Sequence, residues 1–330
     1  MKFYLLFDYQ GKNLEFISEK SSYGLIVKKS PIGGGKLKRW FRGAYEAIKS
    51  SGKGDVIVCW YDFQAVIAFW LCRLMCKRRE IFAINLMLKQ KPTMKNNVVA
   101  RLYKTALLSK HFHASVTSEG YGEWLNRRLG ISVEYSIVRD VLIDKYYADL
   151  KDASGVEVEE DTIFCGGGND RDWGLMVRIA REVKEKKFNF VMRAVDYNAH
   201  KAEMPDNVRV YHDISHADFA RVLQGSEAVC LPITTEAPAG LMVLFESTFR
   251  HKPIFMTKTA TSSAYINDER GYSLSNELDA WTKALRHGFG NREEMRQKAA
   301  NMLDFMNREC SQAAFVSQLD AMIGKYVKRE

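Results

Sequence analysis

Proline is scarce in this chain, six residues in 330, and no apolar run approaches the roughly 20 residues that a membrane-spanning helix needs. A bilayer-spanning protein is therefore not expected. The six cysteines include no CxxC pair and no Cys/His cluster with zinc spacing, so neither a structural zinc nor a disulfide framework is indicated. Cys59, Cys165 and Cys230 lie in apolar, strand-like runs, and Cys72 and Cys76 stand one helical turn apart in AFWLCRLMCKRR; buried, reduced thiols account for them. The opening MKFYLLFDYQ lacks the small-residue cleavage site of a signal peptide, and Asp8 breaks its apolar run. A first β-strand and a cytosolic protein are expected. Low-complexity tracts and short-period repeats are also missing.

Acidic residues are short in the first half only. Residues 1–150 carry 25 Lys and Arg against 13 Asp and Glu, a net of +12, whereas residues 151–330 carry 24 against 27, a net of −3. The two halves therefore face different partners. A cationic half suits an anionic surface such as phospholipid headgroups, nucleic acid or a phosphorylated acceptor, or it is simply a solvated face. The rest of the composition, 46% hydrophobic and 27% charged, is that of a globular chain long enough for two domains with separate cores.

Strand-like and helix-like runs alternate through both halves. FYLLFD, KLKRWFRGAYEAIKSS, DVIVCWY, FQAVIAFWLCRLMCK, EIFAINLML, a helix near 98–109, HASVTS and YGEWLNRRLG make up the first. TIFCGG, WGLMVRIAREVKEK, FNFVMRAV, VRVYHD, ADFARVLQGS, EAVCLPI, GLMVLFESTFR and KPIFMTK make up the second, and residues 292–329 read as two amphipathic helices. This order predicts an α/β protein with doubly wound parallel sheets. The acidic stretch DLKDASGVEVEED, residues 149–161, is the expected linker. In such sheets ligands sit beyond the carboxyl ends of the strands, where helix N-termini favour phosphate.

Two strand-to-helix loops of the second half fit that expectation. In IFCGGGNDRDWGLM, Gly166, Gly167 and Gly168 let backbone approach a ligand, and Arg171 stands where it would meet a diphosphate; a tight turn alone would use the same glycines. The spacing matches neither GxGxxG nor the Walker A loop, and GGGK at 33–36 fails the latter because Leu37 follows the lysine. In LPITTEAPAGLMVLFEST the helix is expected to begin near Ala239 or Gly240, which places Ala239 and Glu246, seven apart, on one face. A carboxylate among Leu241, Val243, Leu244 and Phe245 needs donors. A ribose diol supplies a pair of them; a neighbouring Arg or Lys is the alternative. Glu236 stands earlier in the loop, in reach of a sugar hydroxyl.

The segments CGGGNDRDW, VRVYHDISHADFARVLQGSEAVCLPI and EAPAGLMVLFESTFRHKPIFMT together resemble the nucleotide-sugar half of GT-B glycosyltransferases, most closely the glycosyltransferase family 4-like group that builds bacterial polysaccharides and lipid-linked oligosaccharides. The likeness covers residues 165–270; the first half is similar in layout only. It implies two Rossmann-like domains facing a central cleft: an acceptor domain over 1–150, a nucleotide-sugar domain over 151–310, and a C-terminal helix at 311–330 that packs back on the first. It also implies transfer of a sugar from a nucleoside diphosphate sugar, UDP favoured, without a metal or other cofactor. The acceptor would be a glycan or a polyprenyl-diphosphate-linked saccharide. Glu246 would accept the ribose hydroxyls, Ala239, Gly240 and Leu241 would offer N–H groups to the diphosphate, the glycine loop and Arg171 would lie across the phosphates, and Tyr211 and His212 would lie near the base.

Departures from the family pattern are specific. Relatives carry a second glutamate eight residues before the one at Glu246; here Pro238 stands there and Glu236 is ten before. The lysine that relatives place before the helix is replaced by Asp172 beside Arg171. Stereochemistry is left open by both changes. Asp170-Arg171-Asp172 spells the DxD of metal-dependent GT-A enzymes, but at a helix start acids are favoured by the dipole without any metal. If the reaction inverts, a base must come from the first half: Asp62 after DVIVCWY and Glu119 in TSEGYGEW are the candidates, with Glu236 the third catalytic candidate, and helix-start acids the plain alternative. Gly34 in the Gly33–Gly35 loop would let a substrate approach backbone, and Lys36, Lys38, Arg39, Trp40 and Arg42 mix cations and aromatics as interfacial segments do. The expected location is cytoplasmic with peripheral contact at the inner face of the membrane. Competing readings are a UDP-sugar 2-epimerase on the same scaffold and a non-catalytic basic RNA- or membrane-binding protein. Neither an RRM pattern nor a helix-turn-helix cue is present, so no nucleic-acid partner is expected.

Overall fold

The computed structural model describes residues 1–8, 14–90, 93–143, 147 and 156–327. The chain divides into two compact units, Met1–Val141 with Glu309–Glu330, and Leu142–Arg308. Of the expected linker, residues 149–155 lie outside the described residues.

The first unit is built on a six-stranded parallel sheet of β1 (Phe3–Asp8), β2 (Ile26–Ser30), β3 (Val56–Cys59), β4 (Glu80–Ala83), β5 (Phe112–Val116) and β6 (Ser136–Ile137), in the order β2-β1-β3-β4-β5-β6. FYLLFD and VIVC are buried at every position, as interior strands covered on both faces must be. The edge strand β2 instead exposes Lys28 and Lys29, charges that discourage edge-to-edge pairing. Between the strands run α1 (Glu15–Lys20), α2 (Lys36–Ser50), α3 (Asp62–Leu74), α4 (Met94–Leu107) and α5 (Glu119–Leu129). Thr93 and Ser118 cap α4 and α5 by accepting from the N–H groups of Asn96 and Tyr121, and Gly130 ends α5 in the left-handed conformation that glycine tolerates.

The second unit has a parallel sheet of β7 (Thr162–Gly166), β8 (Phe188–Met192), β9 (Val208–His212), β10 (Ser226–Leu231), β11 (Ile254–Thr257) and β12 (Tyr272–Leu274), ordered β12-β11-β10-β7-β8-β9. Its helices are α6 (Trp173–Glu182), α7 (Ala194–His200), α8 (His216–Gln224), α9 (Leu241–Phe249), α10 (Leu278–Gly290) and α11 (Arg292–Glu309). Phe188, Phe190, Phe255 and Trp281 anchor a core shared by β7, β8, β11, α6 and α10. The strand expected over FNFVMRAV stops at Met192, because Ala194 opens α7.

The last helix, α12 (Gln312–Tyr326), belongs to the first unit. Its Phe315 meets Phe16 at 6.2 Å and Trp60 at 5.7 Å, and Asp320 accepts from Ser21 Oγ and the Ser22 N–H at 2.6 and 2.7 Å.

One buried ion pair ties the first sheet to α2. Arg39 Nε and Nη2 donate to Asp8 Oδ1 and Oδ2 at 3.0 and 2.8 Å, and Nη1 donates to the Gly34 carbonyl at 2.7 Å. Only 8% of Arg39 and 2% of Asp8 remain exposed. Removing one partner strands a buried charge, so Arg39→Met is expected to cost about 3–5 kcal/mol, read as a lowered urea midpoint. The double variant Asp8→Leu/Arg39→Met, with no charge left to strand, is expected to recover most of that loss.

Candidate functional site

In the second sheet the strand order reverses direction between β7 and β10, the place where an open α/β sheet leaves a crevice at its carboxyl edge. The loops leaving these two strands are the two singled out in the sequence. They are zipped together: Arg171 and Ile233 form an antiparallel bridge, the Asp172 N–H donates to Pro232 O at 3.0 Å, and the Thr234 N–H donates to Asp170 O at 3.1 Å. Asn276 fixes the second loop from the side, donating to Ile233 O at 2.8 Å and accepting from Thr257 Oγ1 at 2.6 Å. Thr257 Oγ1 in turn accepts from the Ile233 N–H.

This bracing aims Arg171. Its Nε donates to the Gly166 carbonyl at 2.8 Å, while Nη1 is sealed from solvent and, among the described residues, meets no acceptor. Burial pulls the guanidinium below the usual arginine value, with Cys165 and Asp170 acting against that trend. It still carries its charge at neutral pH. Two glycines make room for it. A Cβ on Gly167, whose φ is +121°, would stand 2.8 Å from Arg171 Nη2, and one on Gly240 would stand 3.1 Å from Nη1. Gly166 is closed from the other side, since a Cβ there would fall 2.4 Å from the Phe164 ring. Gly168 leads on toward Asp170 and Asp172. The Asp172 carboxylate accepts from the Leu175 N–H and caps α6, and among the described residues no three His, Cys, Asp or Glu side chains gather as a metal site.

Gly240 is the N-cap of α9 at φ 76°, so the helix starts at Leu241. Ala239 therefore lies ahead of the helix, and the expectation that it shares a helical face with Glu246 is corrected: the left-handed turn at Gly240 interrupts the period. The N–H groups of Leu241, Met242 and Val243 have no intrahelical acceptors, and among the described residues no N-cap side chain takes their place. Glu246 is 3% exposed and holds two partners: Arg250 Nη2 donates to Oε1 and His216 Nε2 meets Oε2, each at 3.2 Å. A cationic neighbour is thus present, as the spacing allowed. Arg250 at i+4 was legible from the helix period; His216, on another helix, was not. Glu236 accepts from the Ala260 N–H at 2.6 Å, and its carbonyl accepts from Thr261 Oγ1. It thereby joins the two loops that follow β10 and β11.

Tyr211 and His212 occupy opposite faces of the edge strand β9. Tyr211 is buried, donating through its hydroxyl to Glu157 O at 3.1 Å. His212 is exposed and stacks on Tyr197 at 5.3 Å between centroids.

Sequence candidates of the first unit separate into surface and core. Asp62, the first residue of α3, accepts from Tyr103 Oη at 2.6 Å and from the Phe63 and Met87 N–H groups at 2.7 Å. Glu119 is an exposed first-turn acid behind the Ser118 cap. The interfacial reading of 36–42 needs correction. Arg39 and Trp40 are buried, because α2 turns Arg39, Trp40, Gly43, Ala44, Ala47 and Ile48 inward at helical spacing. Trp40 stacks on Tyr61 at 4.9 Å, with Lys36 Nζ 4.6 Å above its ring. Gly34, Lys36, Lys38 and Arg42 are exposed.

No family model matches the chain, and no curated protein matches its sequence. Solved structures do match it. A glycosyltransferase from Rickettsia africae is 10% identical, covering 100% of both chains at a TM-score of 0.69. Alr3699/HepE of Anabaena in complex with UDP-glucose is 11% identical, covering 98% of this chain and all of that one at 0.72. Sucrose-phosphate synthase of Thermosynechococcus elongatus is 12% identical, covering 98% of each at 0.74. At these identities the likeness establishes the fold, which is GT-B.

Two outcomes follow from the geometry. Gly240→Ala places a Cβ in a left-handed turn, 3.0 Å from Ile233 Cδ1, and is expected to cost about 1–3 kcal/mol by urea titration. Burial pushes the Asp62 carboxyl above the usual aspartate value, although Tyr103, Met87, Phe63 and Lys36 oppose it. A raised native pKa means the folded chain holds this proton more tightly than the unfolded one. Stability from Asp62 is accordingly greatest below the unfolded value of about 3.9 and is lost as pH rises through the native value. Carboxyl-resolved NMR titration checks it, with a midpoint above 3.9 expected.

Proposed function

We propose that this chain is a glycosyltransferase that moves a sugar from a nucleoside diphosphate sugar, UDP favoured, to a glycan or polyprenyl-diphosphate-linked saccharide in bacterial surface polysaccharide synthesis. The observation that carries the reading is Arg171: a braced guanidinium whose sealed Nη1 meets no acceptor among the described residues, beside the uncapped start of α9. A buried donor left unpaired costs about 1–3 kcal/mol, and a diphosphate oxygen removes that cost. The same groups meet the charge that grows on a departing nucleoside diphosphate. What HepE binds in its complexes, UDP, UDP-glucose and glucose, supports a uridine donor for this chain.

In this reading Glu246 holds the ribose. His216 and Arg250 orient its carboxylate, and each oxygen keeps a second lone pair for a hydroxyl. Glu236 supports the sugar-facing loop through Ala260 and Thr261. No described helix is long and apolar enough to cross a membrane. Support for a lipid-linked acceptor at an anionic surface comes from α2. Leu37, Phe41 and Tyr45, spaced four apart, are 59%, 50% and 41% exposed, and Lys36, Lys38, Arg42 and Lys49 flank them. These residues replace Arg39 and Trp40 in the interfacial role.

A thermal-shift panel of UDP, GDP and ADP tests the donor site. A nucleotide at 100 times its Kd adds about 2.7 kcal/mol to the native state, roughly 5 °C or more in Tm for a domain of this size. Arg171→Gln is expected to abolish the shift and to lower kcat by about 100-fold through loss of leaving-group stabilisation. An equal shift in wild type and variant would sink the assignment. Product formed from donor alone, with no acceptor present, would instead favour the epimerase.

A further inference from the structure

The amino ends of β4 and β5, opposite the edge where the strand-to-helix loops gather, carry a feature that glycosyl transfer does not use. A cavity of about 350 Å³ opens there between the carboxyl end of α3, the 75–79 turn and the residues before β5. Arg73, Lys77, Arg78 and Arg79 line it, and among the described residues no carboxylate does. Among the described residues none of the four has an acidic partner. The neighbouring acid, Glu80, is occupied by His111 Nδ1 at 2.7 Å and His113 Nε2 at 2.8 Å.

Two of the four cations hold the wall in place. Lys77 Nζ donates to Ile48 O at 3.1 Å, and Arg79 gives Nε and Nη2 to Ser51 Oγ and O at 2.8 and 2.6 Å and Nη1 to Arg78 O at 2.7 Å. These bonds tie the turn to the end of α2. Among the described residues Arg73 and Arg78 show no such tie: both are exposed, and Arg73 lies over the Trp70 ring, 5.8 Å away. His111 completes the lining, with its Nδ1 on Glu80. Four cations within seven residues repel one another. Their presence around one concavity, lined also by Phe69 and Ile81, suits an anion with several oxygens, because a guanidinium pair binds phosphate through paired N–H groups.

We propose that this cavity is a second binding site, for a phosphate group carried on a small molecule or a lipid headgroup, with Arg73 and Arg78 as its ligands. It is independent of the donor site at β7 and β10. Inorganic pyrophosphate is titrated calorimetrically into the full chain, its Arg73→Gln/Arg78→Gln variant and Arg171→Gln, and the proteins are sedimented with vesicles of phosphatidylcholine with and without phosphatidic acid. The exposed arginines leave folding intact, which a melting curve checks, and Lys20→Gln/Lys28→Gln controls for net charge. The double arginine variant is expected to weaken one class of pyrophosphate site at least tenfold while the class sensitive to Arg171 persists. Vesicle binding that depends on Arg73 and Arg78, without a pyrophosphate site there, assigns the phosphate to a lipid. Binding unchanged in the Arg73→Gln/Arg78→Gln variant in both assays, or matched by the lysine control, overturns the site. Pyrophosphate binding that Arg171→Gln leaves unchanged and the Arg73→Gln/Arg78→Gln variant weakens would count against the donor reading and leave this one standing.

Discussion

Everything distinctive in the second unit depends on how Arg171 is held. A guanidinium is costly to bury, and one with a sealed, unpaired donor more so. The chain accepts that cost by bracing the residue from three sides. The bridge to Ile233 fixes its backbone, the Gly166 carbonyl takes Nε, and the absence of side chains at Gly167 and Gly240 leaves the charged end facing the start of α9. Asn276 and Thr257 then lock the Ile233 loop to β11. A parallel sheet whose order reverses between β7 and β10 is what brings those two loops side by side.

The first unit supplies a comparison within the same chain. It too has a glycine loop followed by an arginine, Gly33–Gly35 and Arg39, yet that arginine is fully used. Asp8 takes two of its donors and the Gly34 carbonyl a third. One glycine loop is thus closed by its own arginine, and the other leaves a donor unmet. The same residue types at similar spacing satisfy every nitrogen in one unit and leave one without an acceptor, among the described residues, in the other. Partner inventory separates them, where motif spacing alone does not.

That difference also marks where the sequence was legible. The two sheets could be read because interior parallel strands such as FYLLFD, VIVC and TIFCG are buried throughout and appear as plain apolar runs. Short edge strands carry no such signal: IVKKS is mostly exposed, and β6 has two residues. The glycine loop and the loop before α9 stood out because a run of glycines and a carboxylate in an apolar run are unusual residue types there. Arg39 and Trp40 were misplaced on a surface because Asp8, 31 residues away, is invisible to helical periodicity. Likewise Glu246 announced an unmet need for donors, and Arg250 four residues on was a readable answer, but His216 comes from a separate helix. Long-range pairing of polar groups is what a single sequence hides.

The position of Glu246 bears on whether its partners compete with a nucleotide or prepare for one. It lies three to five residues beyond Val243, Met242 and Leu241, hence about 4.5–7.5 Å along the axis of α9 from their N–H groups. Diphosphate and ribose in a nucleotide are separated by a distance of that order. A carboxylate buried there without donors would cost heavily in desolvation, so in the proposed reading it needs resident donors for the empty state. His216 at the first turn of α8 and Arg250 at the end of α9 fill that need. Arg250 is itself held by the Tyr147 carbonyl at 2.9 Å, which fixes one side of the carboxylate, while His216, 40% exposed in its side chain, bounds the side nearer solvent. In the proposed reading the histidine is the partner that yields to a ribose, and the arginine is the one that stays.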